Sequence, residues 1–247
     1  MGKFSYMDPR TSVIEKRLSN INRIILVVSG KGGVGKSLVA STLAISLSEK
    51  GHKIGLLDLD LYGPSSHIIL GVEKYDFPEE EKGIIPPDIN GIKFMSIVYF
   101  TEDKPAPFRG PDISNVIIEL LTITKWNKLD YLIIDMPPGI GEETLDIIRL
   151  TKKNEFLVVT TPSKVSMGAV SKLLYILLEL KLPIIGVIEN MKMTDSNFIK
   201  ESVSKIKIKY LGNICFDKNL EESIGYPNKL QKTDFMKDFN NLLNKIA

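Results

Sequence analysis

The densest chemistry in the chain lies in nine consecutive residues, GKGGVGKSL at 30–38. Gly30, Gly35, Lys36 and Ser37 match the spacing G-x-x-x-x-G-K-[ST], and an apolar run, IILVV at 24–28, stands directly before them. Glycines at this spacing let the backbone curl so that successive N–H groups face one anion, and a following helix adds its positive end. The Lys36 ammonium would neutralise terminal phosphates, and the Ser37 hydroxyl is a ligand type for Mg²⁺. The expected nucleotide contact takes in the whole stretch, including Gly32, Gly33, Val34 and Leu38. Lys31, a second cation one residue into the turn, exceeds what a phosphate cradle requires.

A metal partner for such a loop belongs at the carboxyl end of a neighbouring buried strand. Asp135 closes YLIID and is followed by MPPGIG; Asp58 and Asp60 close KIGLLDLD and are followed by LYGPSS. Carboxylates there hold Mg²⁺ directly or through water, or orient an attacking water. Ser37, Asp58, Asp60 and Asp135 form the expected metal set, with 60–66 and 136–143 as the loops that sense a γ-phosphate.

Strand-length apolar runs position these residues: 24–28, 53–58, 92–98, 131–135, 156–160 and 183–190. They lack polar alternation, which fits strands covered on both faces. Stretches 36–50, 112–126, 142–151 and 165–180 between them have helical spacing. Strand-to-helix alternation predicts an α/β fold: a three-layer, mostly parallel twisted sheet flanked by helices. Residues 1–22 read as an N-terminal arm with a short helix, 23–247 as one domain, and 72–91 as an insertion of loops and turns. In the closing DFMKDFNNLLNKIA, Phe235, Phe239, Leu242, Leu243 and Ile246 share one helical face. That face predicts packing on the sheet; the alternative is an amphipathic membrane anchor.

With 32 basic against 30 acidic residues in 247, the charge is too balanced to argue for nucleic acid or an anionic membrane as an obligatory partner. No stretch nears the roughly 20 apolar residues of a membrane span, and a cytoplasmic location is expected. The single cysteine, Cys215, closes no intrachain disulfide and forms no C-x-x-C pair; it reads as a small, partly buried hydrophobe near a strand end. His52 and His67 are too few for a substitute metal site and read as surface or cap residues.

With its extra lysine, GKGGVGKS resembles the deviant phosphate loop of the MinD/ParA/nitrogenase-iron-protein class of dimeric ATPases. Within that class DLDLYGPS (58–65), FRGP (108–111), IIDMPPGIG (133–141), VTTPS (159–163) and VIENM (187–191) resemble the Mrp/NBP35/ApbC branch. The resemblance implies ATP and Mg²⁺ as cofactors and a homodimer in which Lys31 reaches the phosphates bound to the other subunit. It implies that Asp60 orients or activates the attacking water, Asp58 supports Mg²⁺, Asp135 is the Walker B carboxylate and Asn190 contacts adenine. A cation delivered only on dimerisation would stabilise the charge spread over the γ-phosphate.

Cluster-carrying members of the branch have a C-x-x-C after the E-N-M block, where this chain reads KMTDSNFIKESVSKIKIKYLG. A homodimer here offers two thiols, whereas a [4Fe–4S] cluster takes four. The expectation is an ATP switch acting on an iron–sulfur assembly client or a cluster-carrying partner protein. A MinD/ParA-like positioning ATPase on membrane or DNA is the alternative, and a small-molecule kinase of the dethiobiotin-synthetase type a third reading.

Overall fold

Among the described residues eight strands form one sheet in the order β3-β4-β2-β5-β1-β6-β7-β8. The computed structural model describes residues 8–104, 110–139 and 141–247. In chain order the elements are α1 (Arg10–Leu18), β1 (Ile21–Ser29), α2 (Lys36–Glu49), β2 (Ile54–Asp58), α3 (Ser66–Leu70), β3 (Asp88–Ile89), β4 (Ile92–Ser96) and α4 (Val98–Thr101). They continue as α5 (Gly110–Ile123), β5 (Leu129–Asp135), α6 (Glu142–Leu150), β6 (Asn154–Thr160), α7 (Lys164–Glu179) and β7 (Ile184–Lys192). The last are α8 (Phe198–Lys205), β8 (Tyr210–Cys215), α9 (Pro227–Leu230) and α10 (Asp234–Leu243).

All pairings are parallel except β3 with β4. Ile24–Val28 and Ile54–Asp58 are buried throughout, as strands covered on both faces must be. Parallel crossovers put the carboxyl ends of β1, β2 and β5 side by side, with Val27 paired to Asp135 and Asp135 to Asp58. This register, more than any local preference, builds the site.

The short helix expected within 1–22 is α1, whose Ile14 and Leu18 are buried in the common core and which packs on α5. The helix expected to run to residue 126 closes at Ile123, because Thr124 forms a parallel β-bridge with Ile84. In 72–91 the loops and turns end in a hairpin, where Asn90 and Gly91 both take positive φ, the geometry that suits a two-residue turn. Helix α10 buries Phe235, Phe239, Leu242 and Leu243 against β8 and α2, so its apolar face is spent on the core. The FRGP block at 108–111 begins outside the described residues, and so does Ile140 of the 136–143 loop.

Candidate active site

The phosphate loop links the end of β1 to the start of α2, and two of its glycines are required by geometry. Gly35 sits at φ +81° immediately before α2, in the left-handed region, and a Cβ there would lie 2.3 Å from the Asn190 Nδ2. A Cβ on Gly30 would lie 2.5 Å from the Val170 backbone nitrogen, so the loop enters directly against α7. Asn190, at the carboxyl side of β7, donates from Nδ2 to the Val34 carbonyl at 2.9 Å, while its buried Oδ1 has no hydrogen-bond partner among the described residues. Asn190, for which the resemblance implied an adenine contact, here braces the loop from behind.

In front of the loop lies a cleft of about 320 Å³ lined by Lys31, Gly32, Gly33, Gly35, Lys36, Ser37 and Leu38 with Asp60, Ser65 and Pro138. Lys36 is 6% exposed. Its ammonium lies 2.5 Å from Asp135 Oδ1, 3.9 Å from Asp60 Oδ2 and 3.4 Å from the Ser37 hydroxyl. Lys31 is exposed, and it enters no ion pair among the described residues. The two lysines are therefore in opposite states, one committed to the carboxylates and the other exposed at the rim with no ion-pair partner among the described residues.

Asp58 and Asp135 are paired neighbours on β2 and β5, both buried. Asp58 Oδ1 accepts from the Asp60 N–H at 3.0 Å, and Oδ2 accepts from the Ser65 and Ser66 N–H groups at 3.2 and 3.1 Å. Its two oxygens thus anchor the 60–66 loop. Burial, and then the neighbouring Asp135 charge, push the Asp58 carboxyl up to about 7 against the pull of Lys36. Burial also pushes Asp60 up, again opposed first by Lys36. Asp60 Oδ1 accepts from the Gly63 N–H at 3.2 Å.

The sequence reading missed Ser66, whose hydroxyl donates to Asp135 Oδ2 at 3.2 Å and ties α3 to β5. Its signal was in reach, one residue beyond the DLDLYGPS block. The 136–143 loop is held to β1 by Gly139 N–H donating to the Ser29 carbonyl at 3.0 Å. His67 corrects the surface expectation: it is 1% exposed, edge-on to Tyr75, with Nε2 3.6 Å from Asp103 Oδ1. Cys215 corrects it in the other direction, being exposed at the end of β8.

The donor set around Lys36 is oxygen throughout, hydroxyl and carboxylate, which fits Mg²⁺. No three His, Cys, Asp or Glu side chains converge into a cage among the described residues. Mg²⁺ suits such a place, because it keeps waters and takes phosphate oxygens in preference to an all-protein cage.

A left-handed glycine before α2, a buried lysine at its first turn and an aspartate at the end of the adjacent strand define a P-loop NTPase. The ParA family model described as NUBPL iron-transfer P-loop NTPase matches residues 20–247, and the chain belongs to that family. A Rickettsia bellii protein named iron-sulfur cluster carrier protein is 39% identical over 87% of this chain and 70% of its own length. One of the same name from Methanocaldococcus jannaschii is 35% identical over 95% of this chain and 87% of its own. The chain spans less than two thirds of some other relatives, such as 62% of the Pseudomonas fragi carrier. Among solved structures, an Archaeoglobus fulgidus nucleotide-binding protein in complex with ADP, with cobalt found in it, superposes with a TM-score of 0.78 at 30% identity, covering 93% of this chain and 96% of that one. The Pyrococcus furiosus cell division ATPase MinD shares the fold at a TM-score of 0.68 and 23% identity, over 91% and 98% of the two chains.

Proposed function

We propose that the chain is a Mg²⁺-dependent, homodimeric ATPase of the cytoplasm whose nucleotide state switches its hold on an iron–sulfur assembly client. The observation that carries this reading is the division of labour between the two lysines: Lys36 is buried on Asp135, whereas Lys31 is exposed at the mouth of the same cleft and in no ion pair among the described residues.

Without nucleotide, the Lys36 ammonium neutralises a carboxylate pair that burial would otherwise disfavour. A triphosphate entering against the loop N–H groups draws Lys36 to itself. Mg²⁺, when bound, supplies charge to the phosphate oxygens, with Ser37 and Asp135 as the residues that would hold it and Asp58 and Asp60 supporting it through the 60–66 loop. Asp60 would orient the attacking water, and its hold on the Gly63 N–H supports this role. Lys31 completes the charge on the γ-phosphate of the neighbouring subunit, so hydrolysis reports assembly. The 60–66 and 136–143 loops relax once the γ-phosphate leaves.

The experiment is a mixing assay. Lys31→Ala and Asp60→Ala homodimers are each inactive, but the mixed dimer has one site with its own Asp60 and the neighbour's Lys31. ATPase activity that returns on mixing supports a lysine acting in trans, and activity that stays absent refutes it.

Iron–sulfur work by this chain would run through a partner protein that holds the cluster, since Cys215 is its sole cysteine. Anaerobic reconstitution yielding about four irons per dimer contradicts this. The rival positioning ATPase loses the anchor that the C-terminal helix would have given it, because α10 buries its apolar face.

A further inference from the structure

Helix-to-strand connections of a parallel sheet all lie at the amino end of the strands, the edge opposite the phosphate loop. Here five of them read KGHK (50–53), TKWNK (124–128), TKK (151–153), LKLP (180–183) and IKIK (206–209). Together they hold nine lysines and no carboxylate, and the carboxylates that flank them in sequence are Glu49, Asp130, Glu155 and Glu179, with Asp130 accepting from the Lys53 N–H at 2.9 Å. Basic residues scattered along the sequence are thus gathered on one edge by topology alone. Lys125 pairs with Glu81 and Lys152 with Glu15. Lys53, Lys128, Lys153, Lys181 and Lys207 are exposed and in no ion pair among the described residues.

Lysines near helix C-termini are favoured by the helix dipole, which accounts for part of this pattern. It does not account for three positions. Lys153, Lys181 and Lys207 have φ of 66°, 55° and 60°, the left-handed region where glycine is the low-energy residue. After α2 the chain does use glycine, Gly51 at φ 84°. A lysine in the last helical turn would serve the dipole without strain.

Aliphatic side chains stand among these lysines, Leu180 at 50% exposure and Ile206 at 39%. The one Phe, Tyr or Trp in the five connections, Trp126, is buried. Single-stranded nucleic acid binds through exposed rings on which bases stack. Lysines interleaved with short aliphatics suit anionic lipid headgroups, with the aliphatics reaching into the interface. We infer that the amino-end edge of the sheet is a docking face for an anionic membrane surface, with the nucleotide cleft turned away from the bilayer. The attachment is electrostatic, reversible and indifferent to nucleotide, unlike an ATP-driven anchoring helix, and it stands or falls independently of the ATPase reading.

The test is co-sedimentation of the full chain with vesicles of phosphatidylcholine alone or mixed with phosphatidylglycerol. The parent pellets with the anionic vesicles at low salt and is released by added salt. The triple variant Lys153→Gly, Lys181→Gly, Lys207→Gly loses on the order of 100-fold in partitioning, while its melting temperature holds or rises because glycine relieves the left-handed strain. If that variant melts lower, the same three positions changed to glutamine carry the test. Lys200→Gln, Lys218→Gln, Lys232→Gln, on the carboxyl side, removes equal charge and keeps binding. The proposal is overturned by no pelleting at low salt, by equal loss in both triples, by pelleting that needs ATP, or by tighter binding to DNA than to the vesicles.

Discussion

Replacing Lys36 with methionine keeps most of the stem and removes the one cation that faces Asp58, Asp60 and Asp135 among the described residues. At 2.5 Å, with an effective dielectric constant of roughly 20, the Lys36–Asp135 attraction is about 7 kcal/mol before desolvation. Desolvation cancels much of this, but loss of a single partner strands the other in a buried place and costs about 3–5 kcal/mol. In a domain of this size each kcal/mol moves the melting temperature by about 2–4 °C, so Lys36→Met should fall by on the order of 10 °C near pH 8 without nucleotide. Lys36→Met combined with Asp135→Asn should recover part of the loss, and urea melts of the four proteins give the coupling. The pH dependence follows from Asp58. Its folded pKa, about 7, lies above its unfolded one, so the folded state holds the extra proton and stability declines as pH rises from about 4 to about 7. Without Lys36 that decline deepens, and the deficit of the variant should be smaller at pH 5 than at pH 8. Effects that add to within about 0.5 kcal/mol, or a pH-independent deficit, would refute the picture of a lysine held by its carboxylates.

Asp60→Ala should still bind ATP but leave it uncleaved, because the phosphate cradle does not use that carboxylate; hydrolysis at the parent rate, followed by phosphate release, removes its assigned role. Gly30→Ala places a Cβ 2.5 Å from the Val170 nitrogen and 2.6 Å from the Ala169 carbonyl carbon, backbone atoms that cannot rotate aside. Nucleotide affinity should drop at least tenfold by calorimetry, at a cost of about 1–3 kcal/mol from overpacking; parent affinity would show that the loop does not depend on α7. Burial pushes the pKa of His67 below its ordinary value, with Asp103 opposing, so it contributes stability above about pH 6.5 that is lost as pH falls through its folded value. His67→Gln should flatten the acid limb of the stability curve, and an unchanged limb would show that another group controls it.

What could be read from the residues follows their range of influence. GKGGVGKS, the apolar runs and the Asn90-Gly91 turn are local signals, written within a few residues of where they act, and the fold carries them out. Helix α1 was harder to place, because its apolar residues Ile14 and Leu18 signal a helix but not the surface that receives it. His67 was misread for the same reason. A lone histidine in LYGPSSHIIL has no local mark of burial, and the Tyr75 and Asp103 beside it arrive from later segments.

The sequence by itself determined the phosphate loop, the strand-end aspartates and the alternation that makes a parallel sheet. Only the tertiary structure decided that Lys36 rests on Asp135, 99 residues away, that Asn190 braces Val34 across 156, and that scattered lysines gather on one edge. The physical reason is register. Periodicity fixes which residues face a core, but which strand ends become neighbours is set by the order of crossovers, and charge pairing and shared surfaces exist only after that order is chosen.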